Sequence, residues 1–260
     1  MNNRFRNVVE AGKVPVGHMV WEFATRGISK LCEGAGVDFV IFDMEHSGFD
    51  VDKMADVLAW AKACDFTPFV RVPVCDYQFM ARIMDAGAMG VMVGNVKNVE
   101  EAQRIVNAVK YAPMGGRGVG IGSAHTDYLS PDPASYFSEI NRSSVIIAQI
   151  ESGEGVENAE AIAAVDGVDI LWVGHFDLST SLGIPGDFHN PIFKEALRRT
   201  VAAATKHGKL LGIQPGSSDW LDEWLKAGFN VISWGADSAV YRAALADAVT
   251  AVRARTNFSE

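Results

Sequence analysis

The stretch SVIIAQIESGEGVENAEAIAAVDGVDILWVGHFDLS (residues 144–179) decides the fold. Two β-branched apolar runs, 144–151 and 168–174, flank GVENAEAIAAV, whose apolar spacing is helical. Neither run alternates with polar residues. Each therefore reads as a strand covered on both faces, the signature of a parallel sheet with helical crossovers. Each run also leads to a carboxylate: Glu151 closes the first, and Asp177 lies just past the second.

Six more runs of this kind lie outside that stretch: VPVGHMV (14–20), DFVIFDME (38–45), PFVRVP (68–73), GVMVGNV (90–96), LLGIQP (210–215) and NVISWG (230–235). Helical patterns separate them. They are WEFATRGISKLCEGAG, DVDKMADVLAWAKAC, YQFMARIMDAGA, NVEEAQRIVNAVKYA, NPIFKEALRRTVAAATKHG, SSDWLDEWLKAG and SAVYRAALADAVTAVRARTN. Asp50 is placed to cap the second pattern. Asn98 caps the fourth, with Glu101 at capping-box spacing. Eight βα units in 260 residues predict a single α/β domain spanning 1–260, a (β/α)8 TIM barrel. A doubly wound sheet is the alternative. Residues 111–143 are irregular, with a short helix expected in PDPASYFSEIN; so long an excursion covers a binding site or builds an interface.

The apolar fraction of 48% supports a large core, and the formal charge of −9 argues against nonspecific nucleic-acid binding. Cys32, Cys64 and Cys75 have no CxxC spacing and are expected to be reduced and buried. The N-terminal residues lack the apolar run of a signal peptide, and no stretch of 18 apolar residues offers a membrane span. A soluble, cytoplasmic protein is the expectation.

In such a barrel the chemistry sits at the C-terminal ends of the strands. Those ends supply FDMEH (42–46), Arg71, ESGE (151–154), GHFDLS (174–179) and Gln214. Asp43 and Glu45 share one side while their strand lasts. His46, at the turn, suits proton transfer, or else merely caps the next element. Arg71, between Val70 and Val72, needs an anion: a substrate carboxylate, an internal partner such as Asp43, or both. Glu151 and Asp177 offer oxygen ligands to a divalent cation with positions left for substrate; the alternative is helix capping. Gln149 projects to the same interior as Glu151. His175 reads as a third ligand or a gate, His18 and Trp21 as pocket wall, and His125 as a group reaching the far end of a substrate. GGRGVGIG (115–122) has neither P-loop nor Rossmann context.

The combination DFVIFDMEHSGFD, VRVP, IMDAGAMGVMV, YAPMGGRGVG, QIES and VGHFDLSTSLGIPG closely resembles the HpcH/HpaI aldolases, metal-dependent class II pyruvate aldolases, from about residue 14 to 240. The resemblance implies a homo-oligomer, commonly a hexamer built as a trimer of dimers, with C-terminal helices exchanged between subunits. It implies Glu151 and Asp177 as ligands of Mg²⁺, Mn²⁺ or Co²⁺, and Arg71 on the carboxylate and keto region of pyruvate. It pairs His46 with Asp85, from a neighbouring subunit, for the hydroxyl proton. Asp43 and Glu45 become supporting groups, and Trp21, Gln149, Gly174 and His175 line the substrate. The implied activity is reversible cleavage of a 4-hydroxy-2-oxo acid to pyruvate, or a related 2-oxo acid such as hydroxypyruvate, and an aldehyde. Breakdown of aromatic compounds and of sugar acids are both compatible settings.

Three stretches depart from the family pattern. GHFDLS stands for GPxDLS, VGNV for VPxV, and IGSAHTDY for an arginine-rich stretch. The first and last bear on the pocket. A metal-dependent decarboxylase of a related oxo acid is the alternative enzyme, and a non-catalytic barrel assembly protein the alternative outside enzymes.

Overall fold

The computed structural model describes residues 3–256, and within them eight parallel strands close into a barrel in sequence order. The strands are β1 (Val16–Val20), β2 (Phe39–Asp43), β3 (Thr67–Val72), β4 (Gly90–Val93), β5 (Val145–Ile150), β6 (Ile170–Val173), β7 (Leu210–Ile213) and β8 (Val231–Ala236). All eight expected runs are strands, with ends that shift by up to three residues. Closure of β8 onto β1, with Val16 opposite Ile232, excludes the doubly wound alternative.

The helices are α1 (Arg4–Glu10), α2 (Ile28–Ala35), α3 (Val51–Ala61), α4 (Tyr77–Asp85), α5 (Val99–Val109), α6 (Pro133–Ser143), α7 (Gly153–Glu157), α8 (Ala159–Ala163), α9 (His175–Ser181), α10 (Pro191–Lys206), α11 (Ser218–Ala227) and α12 (Asp237–Thr256). Asp50 caps α3 by accepting from Lys53 N at 2.8 Å, and Asn98 caps α5 by accepting from Glu101 N at 2.9 Å. The returning half of the capping box is displaced by one residue, because the Glu101 carboxylate takes the amide of Lys97 rather than that of Asn98.

Several elements differ from expectation. The pattern 21–36 is helical only from Ile28, since residues 21–23 give their amides to the carboxylate of Asp237. The crossover after β5 breaks into α7 and α8, with Ser152 capping the first. GHFDLS is a helix, α9, rather than a loop. The cysteines are free, but only Cys32 is buried. Asn257, expected to close the last helix, lies outside the described residues.

Two apolar layers hold the barrel. One fills the space between sheet and helices. The other fills the barrel itself, where Phe39, Phe69, Ile147, Ile170 and Trp172 meet. Phe5 of α1 joins this inner layer, fully buried and edge-on to Phe39 and Phe69 at 5.6 and 5.3 Å between centroids. The inner layer thus leaves only the mouth at the strands' C-terminal ends for a site. Among the described residues no helix is long and apolar enough to cross a membrane.

Candidate active site

A cleft of about 520 Å³ opens at that mouth. Arg71, Gln149, Glu151 and Gly174 line its depth, and His46, Asp177 and Trp21 its sides. His175 and Gln214 also face it.

At its base Arg71 and Asp43 form a two-pronged pair, Nε to Oδ1 at 2.8 Å and Nη2 to Oδ2 at 2.7 Å. Both side chains are buried; that of Asp43 is fully so. The fork matches a carboxylate's two oxygens, giving a strong and oriented bond. Asp43 also accepts the amides of Glu45 at 2.9 Å and His46 at 3.3 Å. One buried acid therefore fixes both the guanidinium and the turn that carries Glu45 and His46. Glu45 Oε2 lies 3.2 Å from Arg71 Nη1. Of the two readings of Arg71, the internal ion pair is present, and its third nitrogen still faces Glu45 at the cleft.

Glu151 is 7% exposed. Its Oε2 accepts Asn95 N at 2.8 Å, and its Oε1 accepts Gln149 Nε2 at 2.7 Å. Asn95 reaches it from a left-handed backbone, φ 50°, a conformation Asn tolerates better than most residues. Glycines make room for the acids. A Cβ on Gly174 would sit 2.1 Å from Glu151 Oε1, and one on Gly94 2.7 Å from Glu45 Oε1. The second of these glycines lies in VGNV, so this departure from the family pattern leaves space for Glu45.

Burial, reinforced by the negative charges of Glu45 and Asp177, pushes the Glu151 carboxyl up to about 7. Burial likewise raises Glu45, opposed by Arg71. Gln149 Oε1 is buried with no hydrogen-bond partner among the described residues. Three carboxylates crowded together, with an orphaned amide oxygen beside them, make an all-oxygen donor set that suits a hard divalent cation. Among the described residues no three His, Cys, Asp or Glu side chains form a ready cage. The donor set fits a cation held by two carboxylates, with the other positions left to substrate and water.

His175 turns into an aromatic cluster, 4.6 Å from Phe176, 5.0 Å from Phe188 and 4.9 Å from Trp224 between centroids. Burial pushes its imidazole down to about 4, so it is neutral at pH 7. This packing makes it a wall, not a third ligand. His46 is exposed at the rim. His18 faces away, onto an apolar groove behind β1, with Nδ1 2.9 Å from Trp234 O. His125 is also elsewhere, between Tyr136 Oη at 2.7 Å and Gly120 O at 3.1 Å. Asp85 does not line the cleft; it sits at the end of α4, 2.5 Å from the buried Arg117.

One organising residue escaped the sequence reading. Asp237 is buried at the end of β8 and accepts the amides of Glu22 at 3.0 Å and Phe23 at 2.7 Å. Trp21 Nε1 donates to Ser238 Oγ at 2.7 Å, which pins the indole over the cleft. The signal was present: GADS places an acid directly after the eighth strand.

The 5-keto-4-deoxy-D-glucarate aldolase of Shigella boydii is 32% identical over 243 residues, 93% of either chain. The crystal structure of an HpcH/HpaI aldolase from Desulfitobacterium hafniense superposes with a TM-score of 0.91 at 30% identity, covering 98% of both chains. That of macrophomate synthase gives 0.79 at 26% identity, covering 98% of this chain and 90% of that one. The HpcH/HpaI aldolase/citrate lyase family profile matches residues 21–244, and this chain belongs to that family.

Proposed function

We propose that the protein is a divalent-metal-dependent aldolase that reversibly cleaves 4-hydroxy-2-oxo acids to pyruvate, or a related 2-oxo acid, and an aldehyde. Family membership supports aldolase and lyase chemistry in general. The observation that carries the finer reading is the crowding of Glu151, Glu45 and Asp177 beside Arg71 in one cleft. Glu151 and Asp177 would hold a Mg²⁺, Mn²⁺ or Co²⁺ ion, which would supply positive charge to the substrate's oxygen end.

The chain's own groups do the rest. Arg71 binds the substrate carboxylate and 2-oxo oxygen with the donors that Asp43 leaves free. Gln149 and the Gly174 backbone flank that end, and Trp21 and His175 close the sides. His46 takes the proton of the C4 hydroxyl. The C3–C4 bond breaks, its electron pair passes into the C2–C3 enolate, and the aldehyde departs. A proton returned to C3 completes pyruvate. Asp85 of the partner subunit orients His46, consistent with its place outside its own cleft.

Assembly supports that role. In α12 only Asp237 is buried, while Val240, Tyr241, Leu245, Val249 and Val252 are exposed. A helix of 20 residues that packs on its own barrel only through its first turns, Tyr241 against Phe23 among them, is suited to lie on a second copy. An oligomer is expected in light scattering, and truncation after Leu245 is expected to yield a smaller species with weaker activity. An unchanged mass would remove the helix-exchange reading.

The test of function is metal removal. The EDTA-treated enzyme is expected to lose pyruvate release from 4-hydroxy-2-oxo acids, with activity and matching aldehyde returning on addition of Mg²⁺, Mn²⁺ or Co²⁺. Carbon dioxide release without aldehyde would favour the decarboxylase instead. Gly174→Ala is a second check. Its methyl group displaces Glu151 by an ångström or so, and kcat/KM is expected to fall about a hundredfold. Retention of full activity would show that the carboxylate position does not matter.

A further inference from the structure

The outer half of the cleft is built differently from its depth. Trp21, Phe176, Pro215 and Trp234 face it. Phe176 is 63% exposed and Trp234 39%, so large apolar surface is held in water at the entrance of a polar site. Such surface costs free energy unless a ligand covers it.

These side chains are held in place. Phe176 is braced edge-on by Phe188 at 5.2 Å between centroids, and Phe188 in turn by Trp220 at 5.4 Å. His175 packs behind them. On the opposite side the Trp21 indole is tied to Ser238 Oγ. Aromatic walls fixed in this way cover a ligand with little loss of side-chain freedom.

Charge points the same way. Among the described residues lining the cleft, Arg71 is the one guanidinium, and no lysine is present. Two of its nitrogens are engaged by Asp43, and the acids Glu151 and Asp177 share the cleft. Within this subunit's own lining, a second carboxylate on the substrate meets aromatic rings and acids, with no lysine or further arginine to pair with. An anion so placed is disfavoured.

We propose that the cleft takes an uncharged, apolar aldehyde component, an aromatic one by preference, and that Phe176 is the residue that selects it. The inference rests on the aldolase reading and names its substrate class. Bond making and breaking are unchanged: the C3–C4 bond of the acid breaks, and the aldehyde released carries the apolar group.

The experiment compares three substrates with the metal-loaded full-length enzyme: a 4-hydroxy-2-oxo acid bearing phenyl on C4, the same acid bearing methyl, and 5-keto-4-deoxy-D-glucarate. The phenyl compound is expected to exceed the glucarate by about tenfold or more in kcat/KM. In Phe176→Ala the phenyl-to-methyl ratio of kcat/KM is expected to drop about tenfold, mainly through KM, with Phe176→Leu between the two. A faster reaction with the glucarate, or a ratio that Phe176→Ala leaves in place, overturns the assignment. Exchange of the pyruvate methyl hydrogens in D₂O, followed by NMR, separates the two levels. Exchange without a phenyl preference rejects the substrate class and keeps the aldolase. No exchange and no cleavage of any substrate rejects both.

Discussion

Glu151→Gln is expected to lower kcat/KM for 4-hydroxy-2-oxo acid cleavage about a thousandfold, while the protein remains folded. The substitution keeps the shape of the side chain and one acceptor oxygen. It removes the negative charge that, with Asp177, would hold the cation, and the enolate then forms without its main source of positive charge. The effect is expected in kcat as well as KM, because the lost interaction strengthens as charge develops on the substrate oxygen. Calorimetric titration with Mn²⁺ should show metal affinity falling in parallel. Wild-type turnover in the variant would show that Glu151 is a capping acid with no part in the reaction.

The same variant carries a stability signature of opposite sign. In the metal-free protein the Glu151 carboxyl is raised from 4.5 to about 7, first by burial and then by Glu45 and Asp177. The folded state therefore holds a proton that the unfolded state has released between these values. Stability falls as pH rises through this window, and the penalty is complete above about 7. Glutamine has no such ionisation. Metal-free Glu151→Gln is expected to be more stable than metal-free wild type at pH 8, by on the order of 1–3 kcal/mol, with the difference closing toward pH 4. Saturating metal should reverse the order, because it binds the folded wild type. Denaturant melts at two pH values, with and without Mn²⁺, give all four comparisons. A wild type that is the more stable partner at pH 8 without metal would contradict the crowding argument.

What could be read from sequence follows from how local each signal is. Strands buried on both faces announce themselves as unbroken Val and Ile runs, so all eight of them, and with them the barrel, were legible. Their exact ends were not. DFVIFDME stops being a strand at Asp43 because that side chain captures the amides of Glu45 and His46. The helix over 21–27 failed for a similar reason: its amides serve Asp237, more than two hundred residues away. α1 escaped notice because RFRNVVE has one large apolar residue, Phe5, whose burial depends on a barrel floor that only the whole fold creates. For the site, the strand-end rule brought Arg71, Gln149, Glu151 and Asp177 to one cleft. It had no means of orienting side chains after the turn. His175 packs as a wall of that cleft, whereas His18 points away from it and the buried His125 lies elsewhere. Asp85 could be given a role only by resemblance, since nothing within its own chain brings it to the cleft.

Asp43→Ala is expected to cost about 3–5 kcal/mol of stability and to abolish measurable turnover. Asp43 is fully buried and shares both of its oxygens with the Arg71 fork. Removing it leaves a guanidinium that is 6% exposed with Glu45 Oε2, at 3.2 Å, as its remaining carboxylate neighbour. It also strands the amides of Glu45 and His46, which lose their acceptor. The loss thus comes from an unpaired buried charge and from two unsatisfied donors, each a recognised cause of large destabilisation. Asp43→Asn separates the parts. Its one carbonyl oxygen can serve either the guanidinium or the turn, so an intermediate destabilisation of about 1–3 kcal/mol is expected. Activity should fall further than stability does, because Arg71 and His46 are both aimed by this one residue. Arg71→Lys tests the same geometry from the other side. It keeps the charge but has no fork with which to hold Asp43 and a substrate carboxylate together. If Asp43→Ala melted with the wild type and kept its KM, the buried pair would be neither a support of the fold nor the device that aims Arg71.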